Sequence, residues 1–296
     1  MIRRLLFLIL LVFVLKGALA QLVTVQADYN SLGDCIFSAT NNAKVPMYLQ
    51  INFGDLENTT FNEPLPYIKR LTTGYNSLFT LQRDLDADVP RFNYEINTFR
   101  SNPTSDIDFD FPYLLPFKEG ESVQFFDVKN IDGFWGTEGL KSWYAVGFKT
   151  ISGTSVYASR TGIVAEIVGK SRTGDSRYWY HTWKNSITLL QPDGTLSCYH
   201  NVVCDPDKLG VGQKVFAGQK IGEVAAGSKE LILLIYHDSL SASKPLSFVI
   251  PQFVVSSDGK SVILNSNAPY TIFHPKRIKG LEMTKREKRK YLEKSE

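Results

Sequence analysis

Histidine is scarce in this chain: among 296 residues there are four, His181, His200, His237 and His274, and no two of them stand two positions apart. A metal site on β-strands draws on that spacing, because alternate residues share a face. Each imidazole therefore reads first as a surface or hydrogen-bonded side chain. Cysteine is scarcer, with Cys35, Cys198 and Cys204 only, which leaves room for a single disulfide. Helical periodicity is rare, and beyond the first twenty residues no stretch is long and apolar enough to cross a bilayer as a helix. Nor are basic residues gathered as a nucleic-acid surface would need. The net charge of +3 misleads, since Lys276 to Glu296 alone holds nine Lys/Arg against four Asp/Glu, and the body from Gln21 to His274 is mildly acidic.

What the chain does have begins at its start. Arg3 and Arg4 precede an apolar run from Leu5 to Leu15, and Ala18-Leu19-Ala20 stands before Gln21. This pattern predicts a secretory signal peptide over residues 1–20. The run is too short for a mature span, and no cysteine follows the cleavage site to take a lipid. The expectation is an exported protein with no stable membrane insertion after cleavage. In an oxidising compartment Cys198 and Cys204 are candidates for a disulfide, with Cys35 left alone. The rival reading is a metal site built from Cys198, His200 and Cys204, and the compartment favours the disulfide.

Short runs rich in Val, Ile, Tyr, Phe and Thr, parted by Gly, Pro, Asn and Asp, predict strands throughout. The first set falls at Val23–Ala27, Cys35–Ala39, Met47–Phe53, Tyr67–Leu71, Leu78–Gln82 and Phe92–Phe99, spaced as in a sandwich. Ser101 to Asp110 is polar and reads as a loop. From Trp143 glycine becomes frequent, including Gly153, Gly162, Gly212, Gly218 and Gly222. Corners this tight suit a small, strongly bent sheet or barrel-like sandwich. Two further strands, Phe248–Val255 and Ser261–Leu264, flank an Asp258-Gly259 turn. The expectation is an all-β chain: a β-sandwich over 21–128, a glycine-rich barrel-sandwich hybrid over 129–275, and a mobile basic tail over 276–296.

Residues 153 to 164 read Gly-Thr-Ser-Val-Tyr-Ala-Ser-Arg-Thr-Gly-Ile-Val, and residues 211 to 224 read Val-Gly-Gln-Lys-Val-Phe-Ala-Gly-Gln-Lys-Ile-Gly-Glu-Val. Together they resemble the glycine-hairpin segments of LytM/lysostaphin-type zinc endopeptidases, which cut peptide cross-links in bacterial cell walls. Ile187 to Leu190, Asp193-Gly194-Thr195 and Tyr199 fall where that family has its central strand, turn and histidine-bearing strand. The resemblance runs from about Tyr144 to Tyr236. The preceding sandwich, Tyr113-Leu114-Leu115-Pro116, and Ile250-Pro251-Gln252-Phe253 resemble a secreted subgroup with an N-terminal β domain. Carrier domains share such a scaffold, but they need a lysine at a hairpin tip in an acidic-Met-Lys-Met setting, absent here.

The resemblance implies two histidines and an aspartate on zinc, with a fourth position open for an activated water. Position by position, this chain departs from that set. The first ligand histidine would fall near Phe134-Trp135-Gly136, and its slot is taken by Gly136. The aspartate of the Tyr-Ala-Val-Asp-Phe pattern becomes Gly147. The Tyr-x-His histidine becomes Asn201, and the final His-x-His aligns with Glu230-Leu231-Ile232, so Glu230 and Ile232 take its places. His200, one residue from its slot, is expected to face away from the site, since a one-residue step along a strand reverses the side chain. Leu231 to Tyr236 is almost unbroken in its apolar character, as in a strand buried on both faces. Trp135, Trp143, Trp179 and Trp183 read equally as core or as groove.

These departures lead to an expected reading: an exported relative of wall endopeptidases without peptidase activity, carrying no cofactor, that binds peptidoglycan or an envelope protein in a bacterial periplasm or envelope. Two alternatives stand beside it. One is an active zinc endopeptidase with a rebuilt metal site, and the other a structural spacer of an envelope complex.

Overall fold

The computed structural model describes residues 22–104, 107–128, 143–169, 185–241, 246–265 and 268–292. The expectations placed on the first twenty residues, on Gly136, and on His181, Trp135, Trp179 and Trp183 lie outside these. The chain is all-β, and it divides into two compact units between Thr98 and Phe99. No helix among the described residues is long and apolar enough to cross a membrane.

The first unit is a sandwich of two three-stranded sheets. One has the order β1 (Val23–Tyr29), β2 (Cys35–Asn41), β5 (Gly74–Leu81), and the other β4 (Tyr67–Leu71), β3 (Met47–Glu57), β6 (Arg91–Phe99). Alternation drives this assembly: along β1, Val23 is buried and Thr24 exposed, and β6 alternates likewise. The inward residues meet in an aromatic centre. Phe37 stacks on Phe79 at 4.7 Å between ring centroids and meets Tyr94 edge-on at 5.4 Å, geometries that the ring quadrupole favours. All six predicted strands form.

In the second unit most of the chain joins one antiparallel sheet of nine strands. Its order is β15 (Lys214–Val215), β11 (Gly162–Val168), β12 (Ser186–Leu190), β13 (Leu196–His200), β17 (Glu230–Asp238), β9 (Val146–Lys149), β8 (Ser122–Asp127) and β21 (Tyr270–Thr271), with β18 (Leu246–Phe248) also on β17. A small sheet, β10 (Ser155–Tyr157), β16 (Lys220–Val224) and β14 (Val202–Val203), packs against it. Val156, Val202, Ile221 and Val224 from the small sheet share one core with Val164, Ile187, Tyr199, Leu231 and Leu233 from the large one. A third sheet, β20 (Ser261–Val262), β19 (Gln252–Val254) and β7 (Pro112–Tyr113), adds Tyr113 and Phe253 to the same core. This is the barrel-sandwich hybrid that the glycines foretold.

Two of those glycines work by different means. Gly218, in the turn between β15 and β16, has φ +77°, a conformation that a Cβ resists. Gly222 has ordinary backbone angles, but a Cβ there would run into the carbonyl oxygen of Val203 on β14. It permits close approach instead of a turn.

Three expectations need correction. The boundary lies at Thr98/Phe99, not at residue 128, because Ile107, Phe111, Tyr113, Phe117, Val123 and Phe125 bury themselves in the second unit's core. The polar stretch leading there is anchored by Asp238, whose Oδ2 accepts from the amides of Arg100 at 3.0 Å and Ser101 at 2.9 Å and from the Ser101 hydroxyl at 2.8 Å. The strand foreseen over Phe248–Val255 is split, β18 ending at Phe248 and β19 starting at Gln252, with Pro251, which lacks an amide donor, between them.

The tail is docked, not solvated, up to Leu292. Helices α1 (Lys276–Lys279) and α2 (Lys285–Tyr291) lie on the second unit. Ile278 is buried with Leu114, Ala217 and Val254. Arg160, 2% exposed, receives the tail: its guanidinium reaches Glu282 at 2.7 Å and Asp193 at 2.8 Å, and lies 3.7 Å over the Phe111 ring. Satisfying a buried cation on several sides is what makes such burial tolerable.

Candidate functional site

Strand pairing places two of the three ligand positions that the resemblance implies, Gly147 and Ile232, in one row across the large sheet. Phe126 on β8 is opposite Gly147 on β9, which is opposite Ile232 on β17, then His200 on β13, Ser186 on β12 and Val168 on β11. Residues directly opposite in antiparallel strands share a face. Gly147, Ile232 and His200 therefore look the same way, away from the core that holds Phe148, Leu231, Leu233 and Tyr199.

Apolar groups cover that outer face around Gly147 and Ile232. A Cβ on Gly147 would collide with the ring of Phe126, so the aromatic ring stands where an aspartate would have to project. Ile232 is 7% exposed and belongs to a cluster with Val128, Ala145, Leu190, Leu196, Leu234, Tyr236 and Leu246, against which Phe126, Trp143, Cys198 and Phe248 also pack. Trp143 packs against this cluster, and its indole nitrogen donates to the Val128 carbonyl at 3.0 Å.

His200 corrects an expectation. It was expected to face away, yet it pairs with Ile232 and shares the face of Gly147. The strand ends at His200, and Asn201, the position matched to the family's histidine, has φ +60° and turns out of the sheet, donating through Nδ2 to the Glu230 carbonyl at 3.2 Å. Burial holds the His200 imidazole well below its usual range, so it is neutral at physiological pH. Glu230 pairs across the strands with Lys149.

The proposed disulfide is also corrected, for all three cysteines are free thiols. Cys198 packs on the outer face and Cys204 against the inner core, on opposite sides of the sheet. The same separation keeps Cys198, His200 and Cys204 from converging as a metal site. Burial pushes the Cys198 thiol up to about 12, with the neighbouring Thr188 pulling the other way, so it stays protonated. Cys204, also raised by burial, lines an open cavity of about 500 Å³ with Asp205, Lys208, Lys220 and Glu223 at its rim. Among the described residues, no three His, Cys, Asp or Glu side chains gather closely enough to hold a metal ion.

The other described histidines have structural partners. His274 Nε2 lies 2.9 Å from the Leu115 carbonyl, and His237 Nδ1 lies 2.8 Å from the Asp238 carbonyl. The residue that sequence reasoning missed is Phe126, which lies twenty-one positions before Gly147 and becomes its neighbour only through the β8–β9 register. Zinc as the resemblance implies it does not fit these positions: a glycine under an aromatic ring and an isoleucine offer no donor.

No family model matches the chain, and no curated protein matches its sequence. Solved structures do. The catalytic domain of lysostaphin from Staphylococcus simulans is 25% identical, with a TM-score of 0.28, over 43% of this chain and 86% of that one. A LytM protein from Ruminococcus gnavus is 20% identical, with a TM-score of 0.29, over 47% of this chain and 56% of that one. Csd3 from Helicobacter pylori is 12% identical, with a TM-score of 0.33, over 92% of this chain and 83% of that one. The structural neighbours are thus LytM/lysostaphin-type peptidase domains and Csd3, at low identity and over partial lengths, and this chain's own side chains decide what its outer face can do.

Proposed function

We propose that this protein is an exported LytM-type relative that does not hydrolyse peptides and serves the bacterial envelope as a binding module, for peptidoglycan or for another envelope protein. One observation carries the reading: the Phe126 ring occupies the space over Gly147, in the same row as Ile232, where the family would place metal-binding side chains. A carboxylate in that position would lose its hydration among Val128, Ala145 and Leu234, with no cation to compensate.

The test uses the mature chain purified without chelators. Metal analysis is expected to find substoichiometric zinc, and incubation with cross-linked sacculi to release no soluble fragments, while the chain sediments with sacculi or is retained by one envelope protein. Stoichiometric zinc together with wall solubilisation overturns the proposal. Absence of both sedimentation and retention overturns the binding half of it and leaves a spacer.

A further inference from the structure

The C-terminal segment from Lys276 to Glu296 holds nine Lys/Arg against four Glu, and the fold separates these charges further. Its two described carboxylates both turn inward. Glu282 is spent on the buried Arg160. Glu287 accepts from Lys214 at 2.6 Å and, as part of a capping box, from the Thr284 amide at 2.8 Å. Those donors hold its carboxyl down at about 2, so it stays ionised and committed.

The same contacts fix the rotation of α2. Tyr291 packs on Phe216 at 4.9 Å between centroids, one turn from Glu287, so the Glu287–Tyr291 stripe is the docked one. Lys288 and Leu292 lie along Gly280. At 100° per residue, Lys285, Arg286, Arg289 and Lys290 then fall on the remaining arc, and all four are exposed. Among the described residues none of the four makes an ion pair with a carboxylate. A short helix that would fray alone is thereby held rigid, with four cations on its free side.

We infer that this outward face of α2 is a docking surface for the phosphate headgroups of an anionic bilayer. Charge complementarity selects the occupant. A bilayer rich in anionic lipid presents a plane of net negative charge, whereas wall stem peptides carry amines as well as carboxylates and offer little net field. Leu281, in the link between α1 and α2, is 42% exposed and supplies an apolar contact beside the cations. Electrostatic docking of this kind is reversible and independent of the binding proposed above.

The experiment is flotation of the full mature chain with vesicles of phosphatidylglycerol and phosphatidylethanolamine, or of phosphatidylcholine alone. Binding is expected to the anionic vesicles only, and to weaken steeply between about 0.05 and 0.5 M salt. Replacing Lys285, Arg286, Arg289 and Lys290 by Gln is expected to lower the partition coefficient about fivefold per cation, a hundredfold or more in all. Thermal unfolding of that variant should match the parent, because the four side chains are exposed. Glu293→Gln with Glu296→Gln should tighten binding. Equal binding to both vesicle types, or full binding by the quadruple variant, overturns the inference; loss of sacculus sedimentation with unchanged flotation overturns it in favour of the wall.

Discussion

The two faces of the strip formed by β9, β17 and β13 are both dry, but they were made so in different ways. On the inner face Phe148, Leu231, Leu233 and Tyr199 are each at most 1% exposed and share a core with two other sheets. That is an ordinary core, large side chains interdigitating at close packing. On the outer face Gly147 contributes no side chain, and the ring of Phe126 leans in from the next strand to fill the gap. Polar side chains persist there in a second row, with Glu166 opposite Thr188 and Thr188 opposite Cys198. One face is built by large residues, and the other by a glycine and the aromatic ring of its neighbour.

Placing a side chain at Gly147 should therefore have the largest effect. Gly147→Asp adds a Cβ into the Phe126 ring and a carboxylate into an apolar cluster, combining overpacking with an unpaired buried charge. The expected loss exceeds about 4 kcal/mol in urea denaturation, the range reserved for such mechanisms. Phe126→Ala in the same chain should recover at least about 1 kcal/mol, a coupling that a double-mutant cycle isolates. A Gly147→Asp protein as stable as the parent would mean that the outer face is an open groove.

Truncation on each face comes next. Phe148→Ala should cost about 3–5 kcal/mol, as for a large ring removed from a packed interior. Ile232→Ala, one position along in the paired register, should cost about 2–3 kcal/mol if the outer cluster is as closely packed as its burial suggests. A value near zero for Ile232→Ala beside a full cost for Phe148→Ala would break the comparison and leave the outer face loosely covered.

Much of this contrast could be read in the sequence, and the part that could not has a common cause. The apolar run Leu231 to Tyr236 announced a strand buried on both sides, and a glycine in place of the aspartate that the resemblance implies could be read at Gly147 in Tyr144-Ala145-Val146-Gly147-Phe148. Strands of the first unit were legible because alternation and turn residues are local signals. Register is not local. Nothing near Phe126 says that β8 will pair with β9, nothing near Glu282 says that Arg160 awaits it, and the turn at Asn201 decides by one residue which way His200 looks. Cys198 and Cys204 failed as a pair for the same reason, since spacing cannot tell on which side of a sheet each thiol will lie.

The outer face also leaves a smaller signature in pH dependence. His200 is held neutral in the folded chain by burial, its imidazole titrating well below the ordinary range. In the unfolded chain it binds a proton near pH 6.5. Below that point the unfolded state takes up a proton that the folded state refuses, so stability rises with pH through the window and is lost as the pH falls. Each unit below 6.5 removes about 1.4 kcal/mol for this one residue until the folded imidazole itself titrates. His274, also depressed by burial, acts in the same sense, while Glu282 and Asp238, raised by burial, act in the opposite one at lower pH. A comparison of the parent with His200→Gln cancels those shared terms. The stability difference between the two should be flat above pH 7 and swing toward the variant by about 1.4 kcal/mol per unit between pH 6 and 5. A difference that stays constant across that range would place His200 in contact with water, and the row it shares with Gly147 and Ile232 would then be open at that end.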